Sequence, residues 1–94
     1  MNLSDMVQGE NGLLIELRCN NSFNNQIFED IKNYLNGHLH IWKASGSIPV
    51  EDAVSIFNLI DELSGGSRFW MEETALLVED AALEIQDIIS TLET

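Results

Sequence analysis

"SFNNQIFEDIKNYLNGHLHIWKA", residues 22–44, decides between two architectures. Read with a period of two, "HLHIW" at 38–42 is a strand, and Gly37 after Asn36 ends a helix before it. Read with a period of 3.6, Ile27, Phe28, Ile31, Leu35, Leu39 and Trp42 form one apolar stripe that runs straight across Gly37. That stripe puts Gly37 on the solvent side, where glycine costs about 1 kcal/mol relative to alanine and does not by itself end a helix. The longer stripe favours the second reading. One helix over about 23–44 is expected, straight or kinked at Gly37.

Downstream, "SGSIP" at 45–49 and "SGGS" at 64–67 mark breaks. Between them, Pro49 suits a first helical turn, and Glu51 and Asp52 favour the positive end of the helix dipole. Val50, Ala53, Val54, Phe57, Ile60 and Leu63 then read as the buried face of a helix over about 49–63. Gly65 and Gly66 supply residues able to end it in a left-handed conformation. The last segment predicts a helix over about 68–92. Ser67 is its candidate N-cap, and Glu72 and Glu73 fall in its first turn. Met71, Ala75, Val78, Ala82, Ile85, Ile89 and Leu92 share one side, widened by Trp70, Ala81 and Ile88.

Upstream, the first twenty residues are ambiguous. In "GLLIELRC", residues 12–19, Leu13, Ile15, Leu17 and Cys19 alternate as a strand would. Leu13, Leu14 and Leu17 equally fit one helical face. A strand would pair with residues 3–8 through "GENG" at 9–12; a short helix would pack on the other three. The fold class expected is mainly α: a three- to four-helix bundle with a short N-terminal arm, either strand, hairpin or short helix. The 94 residues suit one domain, with the arm at 1–20 and the helical core at 23–92.

Charge separates classes of function. Sixteen acids against four bases give a net charge of −12 and a pI near 4.1. Such a surface repels phosphate backbones and anionic membranes, so neither nucleic acid nor membrane is expected as a partner. It steers encounter with a basic protein. An apolar fraction of 45% is that of a folded globule rather than of an acidic tail. The apolar runs are too short to span a bilayer, no secretory leader is recognisable, and Cys19 is the one cysteine. A reduced, cytoplasmic setting is the expectation.

Catalytic and cofactor chemistry finds little in this chain. "DELSGGSRFWME", residues 61–72, has the outline of a calcium loop, with Asp61, Gly66 and Glu72 at positions one, six and twelve. Leu63 and Gly65 occupy positions three and five, so two side-chain ligands are missing and an ordinary interhelical turn is the better reading. His38 and His40 would face one way on a strand but diverge on a helix, and no recognised spacing locks a further ligand to them. Cys19 lacks a nucleophile signature, and no phosphate loop or nucleophile elbow appears. Ser67 begins a helix, as the attachment serine of an acyl-carrier protein does, but within "GGSRF" rather than "DSL". No enzyme, metal or cofactor is expected.

One pattern does single out a surface. Phe69, Leu76 and Leu83 recur every seven residues among the acids of the last helix. Glu72 and Glu79 flank them on one side, and Glu73, Asp80, Glu84 and Asp87 on the other. Either the N-terminal arm covers this apolar line, or these are scattered exposed residues, or the line is a binding strip. In the last case Phe69, Leu76 and Leu83 anchor a partner while Glu72, Glu73, Glu79, Asp80, Glu84 and Asp87 meet its basic residues.

A small acidic helical chain with such a face resembles the immunity proteins of bacterial toxin systems, of the type that inhibits colicin D and contact-dependent-inhibition toxins. The stretches that carry the likeness are Tyr34-Leu35-Asn36-Gly37, Gly46-Ser47-Ile48-Pro49-Val50-Glu51-Asp52-Ala53 and Glu79-Asp80. The resemblance implies a cytoplasmic inhibitor that fills the basic substrate cleft of a toxin nuclease, its carboxylates standing in for phosphates. It assigns no individual residue a role. An acidic regulatory adaptor or an antitoxin-like module without a toxin partner is the alternative.

Overall fold

Helix α3 spans Asn25–Ser45 without a break at Gly37. In the computed structural model, which describes residues 2–20, 23–65 and 72–93, it is the longest element. Its start is fixed by Asn24, whose side-chain oxygen accepts from the Ile27 N–H at 3.1 Å; such a cap satisfies one of the donors left open at a helix start. Its end is fixed by Gly46, which takes the left-handed conformation at φ 73° and donates its N–H to the Trp42 carbonyl at 2.8 Å. Phe28, Ile31, Leu35 and Trp42 are buried, with Ile27 and Leu39 partly so, as the 3.6 period requires. A Cβ at Gly37 would meet nothing within 4 Å, so that residue does face solvent. The strand reading of 38–42 is therefore wrong.

The strand reading of the N-terminal arm fails as well. Helix α1 spans Leu3–Gln8 and α2 spans Leu13–Asn20, and there is no strand among the described residues. Leu13, Leu14 and Leu17 are buried, whereas Ile15 is half-buried and Cys19 exposed, which fits one helical face and not an alternating strand. Asn2 caps α1 by accepting from the Asp5 N–H at 2.8 Å. The turn between the two helices doubles back over the Asp5 carbonyl. A Cβ at Gly9 would lie 2.4 Å from that oxygen, and one at Gly12 would lie 2.9 Å from it, so both places admit only glycine without backbone movement. Leu3, Val7, Leu13 and Leu17 are fully buried. What the sequence presents as an arm is part of the core.

Helix α4 spans Val50–Gly65 and packs against α1 and α5. Here the expected buried face is only partly right. Leu63 is buried and Ile60 partly so, but Val50, Ala53, Val54 and Phe57 are exposed. The helix turns Asp52, Ser55, Ile56, Leu59 and Leu63 inward instead. Polar partners make that rotation tolerable. Asp52 accepts from the Tyr34 phenol, and Ser55 bonds the Glu51 carbonyl at 3.0 Å while accepting from Gln8. Gln8 also accepts from Asn58 at 2.8 Å, and Arg18 on α2 pairs with Glu62.

Helix α5 spans Glu72–Ser90 and runs into a 3₁₀ turn at Thr91–Glu93. Val78, Ala81, Ala82 and Ile85 are buried, and Ile88, Ile89 and Leu92 lie against the core, as the stripe predicts. Phe69, Trp70, Met71, Ser67, Gly66 and the middle of the calcium-like stretch lie outside the described residues, as do the side chains of Glu72, Glu73 and Ala75. No described helix is long and apolar enough to cross a membrane.

Candidate functional site: an acidic face with apolar anchors

With Val78, Ala81, Ala82 and Ile85 facing the core, each residue of α5 has a determined direction at about 100° per step. Leu76, Asp80, Leu83 and Asp87 fall on the side opposite the core, at spacings of four, three and four. The structure leaves Leu76 57% exposed and Leu83 60% exposed, with Asp80 and Asp87 exposed beside them. The N-terminal helices do not cover these leucines, because α1 and α2 spend their own apolar faces in the core. Glu79, also exposed, lies on one flank. The anchor expected at Phe69 and the acids at Glu72 and Glu73 are outside what the structure describes.

Glu84 has a different task. Its carboxylate accepts from the Lys32 ammonium at 2.8 Å, tying α5 to α3. Lys32 bonds Glu29 at the same distance and lies 4.9 Å from the centre of the Phe28 ring. Hydrogen bonds to Glu29 and then Glu84 raise the Lys32 pKa above 10.5, against the opposing effect of burial. Glu84 thus bridges α5 to α3.

Sequence reasoning missed a second surface. Val50, Val54 and Phe57 are 80%, 48% and 69% exposed, a line of large apolar side chains on the outer side of α4. Near its start lies an open groove lined by Tyr34, His38 and Trp42 from α3 and by Ile48, Val50 and Asp52. Tyr34 stacks on His38 with ring centres 4.0 Å apart, and His38 lies 5.7 Å from Trp42. His38 Nδ1 is 2.7 Å from the Tyr34 carbonyl oxygen, which can only accept, so Nδ1 carries the hydrogen. The Tyr34 hydroxyl donates to Asp52 at 3.0 Å. Burial first, then that hydrogen bond and the negative charges of Asp52 and Glu51, push the phenol's pKa above 10. His38 is committed to this stack while His40 is exposed, and among the described residues no group of three metal-ligating side chains assembles.

No family model, curated protein or solved structure matches the chain.

Proposed function

We propose that this chain is an acidic protein-binding domain that neutralises a basic bacterial toxin domain, in the manner of an immunity protein. The observation that carries the binding part is the exposure of Leu76 and Leu83 on the acidic side of α5. Apolar anchors that exclude water, ringed by charges that steer encounter, are how protein interfaces divide affinity from association rate. The net charge of −12 supports a basic partner, and the resemblance to toxin inhibitors supports a nuclease whose cleft normally grips phosphate. Leu76, Glu79, Asp80, Leu83 and Asp87 form the described part of the proposed contact, and Phe69, Glu72 and Glu73 complete it on the sequence pattern. Glu84 supports it through Lys32.

The test has two stages. Tagged protein is used to capture a partner from its own cells, and the partner is then expressed with and without this chain. The expected result is a basic protein that arrests growth alone and is harmless when co-expressed. A captured partner that harms no cell would replace the toxin reading with that of an adaptor. The Leu76→Ala and Leu83→Ala variants should each weaken binding by about 1–2 kcal/mol while shifting stability by no more than about 0.5 kcal/mol. Association should slow as salt rises through physiological strength. Unchanged affinity in both leucine variants would remove α5 from the interface.

A further inference from the structure

The groove between α3 and the start of α4 has a composition that selects one kind of guest. Three aromatic rings, Tyr34, His38 and Trp42, occupy successive turns of α3 and line one side. Asp52, only 8% exposed, brings a carboxylate to the other side. The Tyr34 phenol uses one of the roughly four lone-pair positions that a carboxylate offers. Among the described residues no lysine or arginine lines the groove, and Glu51 adds a second negative charge close enough to act on Tyr34. Its volume of about 490 Å³ admits a large side chain. Ile41, half exposed, and Val50, 80% exposed, stand on its rim, and Val54 and Phe57 continue the apolar line along α4.

We propose that this groove seats an arginine side chain carried on an apolar segment of a protein partner. Ring faces attract a cation, and a planar guanidinium can stack on them while its edge forks onto a carboxylate. Lysine offers a point charge and no plane, so it uses only part of the site. Apolar neighbours of that arginine cover Ile41, Val50, Val54 and Phe57, which a free small cation would leave in water. The chain's net charge of −12 favours the same guest over an anionic or neutral one. This inference is independent of the strip on α5, and either can fail without the other.

The probe is an acetylated, amidated Leu-Arg-Leu-Leu peptide titrated into the ¹⁵N-labelled full chain and read at the Trp42 indole N–H. A saturable shift is expected, at least about tenfold weaker for the same peptide with citrulline, the neutral isostere, in place of arginine. Asp52→Asn should weaken binding by about tenfold. The rim double variant Ile41→Ala, Val50→Ala should weaken it by about threefold, and Leu76→Ala should leave it unchanged. Because Asp52 also holds Tyr34, a melt accompanies that variant; if it unfolds, the citrulline peptide and the rim variant, whose side chains are exposed, decide. Equal binding of the citrulline peptide, no saturable shift, or an unaffected rim variant would overturn the proposal. Tetramethylammonium binding as tightly as the peptide would also overturn it, because the site would then belong to a small cation.

Discussion

Phe57 and Leu59 are two residues apart on α4, and the structure assigns them opposite environments. Phe57 is 69% exposed and Leu59 fully buried, although the apolar pattern of the sequence puts Phe57 in the core. Replacing each by alanine distinguishes the two rotations of the helix. Full burial of a phenylalanine side chain is worth about 1.5–3 kcal/mol, so the third that is covered carries roughly 0.5–1 kcal/mol. Alanine returns about 0.5 kcal/mol through its higher helix propensity. The net change for Phe57→Ala is therefore within about 0.5 kcal/mol, or no more than about 4 °C in Tm for a chain of this size. Leu59→Ala removes a fully enclosed side chain and leaves a cavity, a loss of about 2–5 kcal/mol and at least about 8 °C. Thermal melts and urea titrations followed by circular dichroism measure both. A Phe57→Ala loss of 3 kcal/mol or more, with Leu59→Ala near neutral, would refute the observed rotation and with it the exposed apolar line on α4.

Other outcomes follow from the same geometry. Gly37→Ala should stabilise the chain by up to about 1 kcal/mol, since nothing lies within 4 Å of the added Cβ. Gly9→Ala should destabilise it by about 1–3 kcal/mol, because the new Cβ would meet the Asp5 carbonyl at 2.4 Å; paired urea midpoints check both. Lys32 and Tyr34 have folded pKa values above their ordinary 10.5 and 10.0. The folded state therefore holds both protons more tightly than the unfolded chain. Their contribution is complete below about pH 10 and is lost as pH rises through the folded values. Stability measured at pH 8, 10 and 11 should fall across the last interval, and Tyr34→Phe should make that fall shallower. A rise in stability above pH 10 would contradict the hydrogen bonds assigned to these groups.

Two of the long helices were legible because each carries one uninterrupted apolar stripe, and the stripe at 27–42 outweighs a single glycine. Helix α4 was legible as a helix but not in its rotation. Apolar residues occur all round it, and hydrophobicity alone ranks Phe57 and Val54 above Asp52 and Ser55. Its orientation depends on partners far away in sequence: Tyr34 for Asp52, and Gln8 for Ser55 and Asn58. At the N-terminus, eight residues satisfy either period, and the decision lies in packing: α2 lies against α1, and α1 against α3 and α4. The face of α5 was visible because Leu76 and Leu83 break the pattern of their own helix. The groove was not, because it forms where residues 47–52 lie beside α3, and an acid in a first helical turn is usually a solvated one.

The burial of α1 bears on how the molecule is made. Leu3 and Val7 are synthesised before α4, yet Gln8 bonds Ser55 and Asn58 about fifty residues later. Until α3 and α4 have been synthesised, the first two helices have only each other to pack on, and each is well below the length at which a lone helix holds in water. Helices α1 and α2 are therefore enclosed only once the helices that follow them exist. A change placed directly before Leu3 acts on core packing rather than on a loose segment.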